Sequence, residues 1–217
     1  MYKNSVKRMI DVVLATTGVV LLSPVMLIIV VMIKIDDPGP AIFKQKRVGI
    51  HKSHFELYKF RSMKIGTPDI PTHLLHNPEQ YISRVGSFLR KSSLDELPQL
   101  INIIKGDMSI IGPRPALWNQ YDLIAERDKY SANDVKPGLT GWAQINGRDE
   151  LAIPVKAKLD GDYVERMSLP FDIKCFMGTI SAVWKSEGFV EGSGKEPAQQ
   201  AVEPETTYVA PNLVMHQ

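Results

Sequence analysis

The chain has 217 residues, enough for one ordinary domain with additional segments and for a sizeable hydrophobic core. Its formal net charge of +2 is too small to indicate a nucleic-acid-binding protein. The single cysteine, Cys175, excludes an internal disulfide and provides no thiolate cluster for a metal.

The N-terminal region has the most uneven distribution of hydrophobic residues. No charged residue occurs between Val12 and Ile33. A helix of that length would extend about 33 Å, close to the roughly 30 Å hydrocarbon thickness of a bilayer. No small-x-small cleavage site closes the apolar run, so a membrane segment is favoured over a cleaved signal peptide. The sequence therefore predicts membrane association.

Ser23 and Pro24 lie at the centre of this apolar run. Pro24 lacks a backbone donor and its ring would clash with the carbonyl of Val20, so a kink or break is expected there. A kinked helix that spans the membrane and a re-entrant hairpin that returns to the same leaflet both fit this pattern. Basic residues flank the run at both ends, which favours a cytoplasmic location for both ends.

Two strands joined by a turn are predicted after the membrane segment, over residues 41–47 and 55–63. Side chains two positions apart on a strand share a face, so Lys59 and Arg61 are expected to project together. They are either the solvated charges of an edge strand or cations that bind a phosphate group. Residues 66–78 lack periodicity and are predicted to form a surface loop.

A pair of adjacent acids, Asp95 and Glu96, follows a predicted helix over residues 80–91. The pair lies near the start of the next helix, where the macrodipole favours ionised carboxylates. Local spacing fits helix capping, either as a box between Ser93 and Glu96 or with Asp95 as the N-cap. The same acids could instead supply a nucleophile toward phosphorus or ligands for a divalent cation. Spacing alone favours capping.

Three arginines are candidate anion ligands. Arg90 lies at the end of the helix that precedes the acidic pair. Arg114 stands between two prolines, which fix the backbone on either side of it and favour ligand contact over a plain turn. Arg148 follows a glycine-punctuated segment, residues 136–147, whose backbone amides could approach a phosphate. A mobile loop is an equal alternative for that segment.

The remaining segments suggest structural roles. The Asp-Gly-Asp run at residues 160–162 resembles a glycosyltransferase metal motif, but no strong apolar strand precedes it, so a solvated turn is predicted. Residues 117–130 have the pattern of an amphipathic helix. Apolar residues within 171–184 recur at helical spacing, which predicts core packing, with a helix on the bilayer surface as the alternative. From about Glu191 the composition predicts a disordered tail.

The chain has no P-loop, dinucleotide-binding fingerprint, serine-hydrolase elbow or zinc-protease motif. Its motifs together resemble the bacterial sugar transferases, the monotopic phosphoglycosyl transferases that load polyprenol phosphate. The resemblance covers approximately residues 1–185. It rests on segments in the family's order, namely Lys7-Arg8 with Asp11, Ser23-Pro24, and residues 58–63, 93–100, 105–109, 112–115 and 137–148.

The resemblance implies an α+β fold. Residues 1–36 would form a re-entrant membrane helix broken at Ser23-Pro24. Residues 37–190 would form a mostly helical cytoplasmic catalytic domain with a small β-hairpin and interfacial helices. Residues 191–217 would form the disordered C-terminal tail. The implied location is the cytoplasmic face of the bacterial plasma membrane.

The resemblance also implies the chemistry. Asp95 and Glu96 would be the catalytic dyad and the ligands of a required Mg²⁺, and the reaction would be ping-pong, through a covalent intermediate that we assign to Asp95. The expected partners are a UDP-sugar, undecaprenyl phosphate and the lipid bilayer, with no nucleic acid and with a homo-oligomer left open. The candidate substrate-binding residues are Arg114, Arg148, Lys59, Arg61 and Arg90. The alternatives are a membrane-anchored, magnesium-dependent UDP-sugar hydrolase and a non-catalytic membrane scaffold.

Overall fold

The computed structural model describes residues 2–67, 77–147 and 151–184. Its helices are α1 (Lys7–Asp36), α2 (Arg84–Lys91), α3 (Gln99–Lys105), α4 (Tyr121–Asp128), α5 (Trp142–Ile145), α6 (Ile153–Arg166) and α7 (Leu169–Trp184). Its strands are β1 (Ile42–Val48), β2 (His54–Phe60), β3 (Ser109–Ile111) and β4 (Gly138–Thr140). This combination confirms the predicted α+β class. The predicted tail, residues 191–217, lies outside the described residues.

Helix α1 packs against the rest of the protein along one face in both of its halves. In the first half, Ala15 is fully buried in a cluster with Leu100. In the second half, Ile29 and Ile33 are buried in a cluster with Phe60. The opposite face exposes large apolar side chains, including Met9, Val13, Leu14, Val20, Leu21, Leu27, Ile28, Val31 and Ile35. Within the described part of the chain, α1 is the one helix long and apolar enough to cross a membrane. Its uncovered apolar face supports membrane association.

The helix continues without interruption through Ser23 and Pro24. The Ser23 hydroxyl donates to the carbonyl of Val20 at 2.8 Å. That carbonyl has no backbone donor from Pro24, because proline lacks an N–H. The predicted break therefore does not divide the segment into two helices, since a neighbouring hydroxyl satisfies the freed carbonyl. The re-entrant course of the segment stays a prediction.

Four polar side chains fasten the start of α1 to α6 and α7. The Lys7 ammonium and the Tyr2 hydroxyl donate to one oxygen of Asp172, at 2.6 and 2.5 Å. The Tyr163 hydroxyl lies 2.8 Å from the other Asp172 oxygen and 3.0 Å from the carbonyl of Ile111. We call Asp172, Lys7, Tyr2 and Tyr163 the Asp172 cluster. Because Lys7 and Asp172 are both buried, each charge depends on the other for compensation.

Further polar contacts hold both ends of α1 to the same domain. Asp11 is buried and accepts from the Ser109 hydroxyl at 2.7 Å. Arg8 donates to two carbonyls at the C-terminal end of α3, where a cation is favourable. At the other end of α1, Asp36 accepts from the N–H of Val85 in α2 at 3.1 Å.

Strands β1 and β2 form the predicted antiparallel hairpin, with Lys59 opposite Phe43. Strands β3 and β4 form a parallel pair that the sequence did not predict. Gly112, which follows β3, and Gly138, the first residue of β4, cross so closely that a Cβ atom on Gly138 would lie 2.1 Å from the nitrogen of Gly112. A larger residue would force these backbones apart, so this crossing fixes the loop that follows β3.

Helices α4 and α6 are joined by a buried ion pair. The Arg127 guanidinium donates two hydrogen bonds to one oxygen of Asp160, at 2.8 and 2.6 Å. The predicted solvated turn at residues 160–162 is wrong, because these residues lie inside α6 and Asp160 is buried. Its counter-ion stands 33 positions earlier in the chain, where local spacing gives no sign of it.

Helix α7 has one buried and one exposed face. Phe171 and Cys175 lie in a core cluster with Tyr163. The exposed face carries the large apolar side chains of Leu169, Ile173, Phe176, Met177 and Ile180. Core packing is therefore wrong for the last four residues, which the sequence pattern had assigned to the core. The alternative, contact with the bilayer surface, stays a prediction.

Candidate active site

The two adjacent acids lie in a 3₁₀ turn, Leu94–Glu96, between α2 and α3. Ser93 precedes this turn at φ 56°, a left-handed conformation that is uncommon for serine. The Ser93 side chain makes no capping hydrogen bond, and α3 begins only after Pro98, again without a side-chain cap. Both predicted capping arrangements are therefore wrong. The extra turn and the proline separate the carboxylates from the first turn of α3 and leave them for other contacts.

Glu96 forms ion pairs with two cations from distant elements. The Lys59 ammonium in β2 lies 2.8 Å from Oε1 of Glu96, and a guanidinium nitrogen of Arg114 lies 3.0 Å from the same oxygen. Burial opposes ionisation of Glu96, but Arg114 and Lys59 outweigh it and hold the pKa of Glu96 well below its usual range. Glu96 is therefore ionised and only weakly basic.

Asp95 has a different environment from its neighbour. It is buried, and among the described residues no hydrogen bond or ion pair reaches its carboxylate. Burial raises the pKa of Asp95, and the negative charge of Glu96 adds to the increase, while Lys59, Arg90 and Arg114 act against it. When ionised, Asp95 is thus more basic than an ordinary aspartate. We call Asp95, Glu96, Lys59 and Arg114 the dyad site.

The position of Arg114 follows from the glycine crossing after β3. The N–H of Gly138 donates to the carbonyl of Pro113 at 2.8 Å, and the N–H of Gly112 donates to the carbonyl of Thr140 at 2.8 Å. These bonds fix the two residues that precede Arg114. The flanking prolines predicted a rigid loop around Arg114, and the structure brings Arg114 to Glu96.

The structure places the other three candidate cations differently. The Nε of Arg90 donates to the Ser62 hydroxyl at 2.9 Å, close enough to the dyad for Arg90 to lower the pKa of Asp95. Arg61 contacts the backbone carbonyl and the carboxylate of Asp37 at the end of α1. Strand β2 ends at Phe60, so the alternation that would align Arg61 with Lys59 does not extend to it. Arg148 lies outside the described residues.

Two partners in this region were not found from sequence. Ser62 and Asp37 are the residues that Arg90 and Arg61 contact. Each pair is separated by more than twenty residues, so no local pattern links its members.

The acidic pair fits a magnesium ion only together with substrate oxygens. Among the residues that the structure describes, no cluster of three or more His, Cys, Asp or Glu side chains could hold a metal. Asp95 offers a carboxylate without a partner in that part of the chain, and both cations on Glu96 contact Oε1 rather than Oε2. Mg²⁺ is commonly bound through one or two carboxylates, with water and substrate phosphates completing its coordination. The donor set is suited to that mode.

Comparison with known proteins gives a consistent result. The sequence profile of the family described as bacterial sugar transferase matches residues 2–186. The UDP-glucose:undecaprenyl-phosphate glucose-1-phosphate transferase of Escherichia coli (strain K12) is 43% identical over 183 residues, which cover 80% of this chain and 39% of that protein. The sugar transferase EpsL of Bacillus subtilis (strain 168), named as uncharacterized, is 40% identical over 84% of this chain and 89% of its own length.

A third relative differs in its sugar. The UDP-N-acetylgalactosamine-undecaprenyl-phosphate N-acetylgalactosaminephosphotransferase of Aeromonas hydrophila is 37% identical over 82% of this chain and 43% of that protein. The chain thus spans about two fifths of the length of the two relatives whose names state a reaction, and most of EpsL. The names of those two relatives share undecaprenyl phosphate and differ in the sugar.

Proposed function

This chain belongs to the bacterial sugar transferase family, and on that premise we propose that it transfers a sugar-1-phosphate from a UDP-sugar to undecaprenyl phosphate and releases UMP. The named relatives carry out transfers of this type. The observation that carries the proposal is the contrast between two adjacent carboxylates. Asp95 is buried, without a partner among the described residues and comparatively basic, whereas Glu96 is held ionised by two cations that contact its Oε1. Environments that separate neighbouring pKa values in this way are typical of acids with different catalytic roles.

In the proposed first step, a carboxylate oxygen of Asp95 attacks the phosphorus that bears the sugar. The bond from that phosphorus to the bridging oxygen breaks, and UMP leaves with the electron pair. The product is a sugar phosphate joined to Asp95 as an acyl phosphate. In the second step, a phosphate oxygen of undecaprenyl phosphate attacks the same phosphorus and the Asp95 carboxylate leaves. The reaction is then ping-pong, and the product is an undecaprenyl diphosphate sugar.

The cations of the dyad site would compensate the charge of the donor. Lys59 and Arg114 already meet at one oxygen of Glu96, so they are positioned before the substrate binds. Phosphoryl transfer depends chiefly on such positioning and on electrostatic stabilisation. A Mg²⁺ held by Asp95 and Glu96 would neutralise diphosphate charge that otherwise repels a carboxylate nucleophile. The depressed pKa of Glu96 supports a role in holding cations rather than in accepting a proton.

The packing of α1 supports a location at one surface of the bilayer. Lys7 at one end of α1 contacts Asp172 in α7, and Asp36 at the other end contacts Val85 in α2, so both ends meet the same domain. A helix that crossed the membrane would carry its ends to opposite sides, so both could not meet one domain. The exposed apolar faces of α1 and α7 would lie in one leaflet, with the dyad at the interface where a lipid phosphate is presented. We propose the cytoplasmic face, because basic residues flank α1 at both ends.

The decisive experiment is a panel of UDP-sugars assayed for UMP with the purified protein in detergent. Each sugar is tested with and without undecaprenyl phosphate, and with Mg²⁺ or with a chelator in its place. We expect metal-dependent UMP release for one sugar, a single-turnover burst without the lipid, and continuous turnover with it. Continuous turnover without the lipid would indicate a hydrolase, and no release from any sugar would favour a membrane scaffold.

Trapping tests the covalent step separately. With a donor labelled in the sugar and no lipid acceptor, we expect one labelled phosphosugar per active protein, located by mass spectrometry on the peptide that contains Asp95. Active turnover without such an adduct would replace the ping-pong scheme with direct transfer between donor and lipid.

A further inference from the structure

A buried side chain outside the dyad site connects β2 to α3. Asn102 lies on α3 and has no exposed surface. Its Oδ1 accepts from the N–H of Tyr58 at 3.0 Å, and its Nδ2 donates to the carbonyl of Glu56 at 2.7 Å and to Asp107 at 3.1 Å. Both halves of the amide are therefore bonded, which fixes its orientation.

The two backbone groups that Asn102 binds belong to β2. The Asn102 amide accepts from the N–H of Tyr58 and donates to the carbonyl of Glu56, two positions earlier. A neighbouring strand would bond the same two backbone groups. In the part of the chain that the structure describes, the sheet of β1 and β2 has two strands, so Asn102 takes the place of a third strand at the free edge of β2. Its contacts hold β2 at a fixed position along α3.

One half of an ion pair in the dyad site lies on β2, and the other lies three residues before α3. Lys59 directly follows Tyr58 in β2, and Glu96 belongs to the turn that leads into α3. Their side chains meet at 2.8 Å. A shift of β2 along α3 would change this distance, and the link through Asn102 lies one residue from Lys59.

We infer that Asn102 is a positioning residue, which sets the placement of Lys59 against Glu96 by holding the edge of β2 to α3. Asn102 itself is fully buried, so it would act through β2 and not by contact with a ligand. That Asn102 holds β2 to α3 is a structural claim independent of the protein's activity. That this link supports catalysis is a kinetic claim, which rests on the proposed function.

The structural claim is tested by hydrogen exchange of the full-length protein in detergent. In Asn102→Ala the N–H of Tyr58 loses its acceptor, so the peptide that covers β2 is expected to exchange about tenfold faster than in the wild type. Asn133→Ala is the matched control. Asn133 is also buried, and its amide also donates to a carbonyl and a carboxylate, but these partners, Ile124 and Asp128, belong to α4. This control is expected to leave exchange in β2 unchanged. Unchanged exchange in β2 of Asn102→Ala would overturn the inference.

The kinetic claim is tested by a double-mutant cycle with Lys59→Ala. Asn102→Ala is expected to lower kcat/KM for the UDP-sugar about tenfold in the wild type, but less than about twofold when Lys59 is already alanine. Whatever factor Asn133→Ala produces is expected to be the same in both backgrounds. An equal loss from Asn102→Ala in both backgrounds would overturn the positioning role and leave Asn102 a structural residue.

A second variant covers failure of Asn102→Ala to fold. In Asn102→Asp combined with Asp107→Asn, the new carboxylate still accepts from Tyr58 and from residue 107, whereas the bond to the Glu56 carbonyl and the ion pair of Asp107 with Lys105 are lost. The same cycle with Lys59→Ala is expected to give a smaller, again non-additive, effect. Additive losses here would also overturn the inference. If the wild-type protein released no UMP, the proposed function would fail, and exchange in β2 would decide the Asn102 link by itself.

Discussion

The Asp172 cluster and the dyad site both surround carboxylates with donors, but only the first is complete. In the Asp172 cluster both carboxylate oxygens are bonded, to one ammonium and two hydroxyls. In the dyad site two cations share a single oxygen of Glu96, and Asp95 has no partner among the described residues. A satisfied buried network rigidifies a fold, whereas an incomplete one retains capacity for a ligand. The comparison distinguishes charges that hold α1 in place from charges available for chemistry.

The largest expected effect is at Asp95. Asp95→Asn keeps the side-chain shape and removes the nucleophilic charge, so UMP release is expected to fall by roughly 10³-fold or more. The free energy of unfolding is expected to stay constant or rise slightly, because burial disfavours the charged carboxylate. Turnover and thermal unfolding in one detergent measure both effects. Asp134→Asn, at an exposed carboxylate, is the control. If Asp95→Asn turned over at the wild-type rate, the dyad site would no longer differ from the Asp172 cluster in supplying charges for chemistry.

The opposite pattern is expected for Lys7 in the Asp172 cluster. Lys7→Met leaves a buried carboxylate without its counter-ion, so the free energy of unfolding is expected to fall by about 3–5 kcal/mol. Turnover per folded molecule should change little. Combining Lys7→Met with Asp172→Asn should recover much of the loss, because no unpaired charge remains. Denaturant unfolding and UMP release on the same samples test this, and lost turnover at full stability would contradict it.

A smaller effect is expected at Arg114. Arg114→Ala removes a charged hydrogen-bond donor, so kcat/KM for the UDP-sugar is expected to fall about 10- to 100-fold. Arg114→Lys should retain part of the activity, since lysine keeps the charge but lacks the planar fork of the guanidinium. Steady-state kinetics with varied UDP-sugar measure the difference. If Arg114→Ala had the same kinetics as the wild type, Arg114 would belong with the charges that stabilise the fold and not with those available for chemistry.

The smallest effect is expected for an exposed ion pair. Lys44 lies 3.0 Å from Glu56, but both side chains are 57% exposed. Lys44→Ala is therefore expected to change the free energy of unfolding by less than about 0.5 kcal/mol and to leave UMP release unchanged. A larger loss in either measurement would show that burial does not predict how much a charged residue of this protein contributes to stability or activity.

The sequence predicted the parts of the fold that have a local signal. The long apolar run predicted α1, and two strand-like segments joined by a turn predicted the hairpin of β1 and β2. Adjacent acids gave Asp95 and Glu96. The contacts that distinguish these two acids were not predictable, because Lys59 and Arg114 stand 37 and 18 positions from Glu96. The parallel pairing of β3 with β4 and the burial of Asp160 against Arg127 were missed for the same reason.

One wrong assignment and one overlooked residue show where periodicity stops being informative. In α7, helical spacing identified an apolar face correctly but could not say whether protein or lipid would cover it. On α3, a signal for Asn102 was available. An asparagine flanked by two isoleucines on a helix that packs into the core must find partners there. Only the three-dimensional arrangement identifies those partners as the edge of β2.

The anchoring of both ends of α1 bears on how the protein reaches its site of action. With both ends of α1 on one side of the bilayer, as we propose, the charged residues near those ends would not have to cross the hydrocarbon. Integration into a sealed membrane would then require only that apolar side chains partition from water into lipid, without a translocation channel. A glycolipid made there would keep its headgroup on the side of synthesis, so a separate transport event would be needed to move it across.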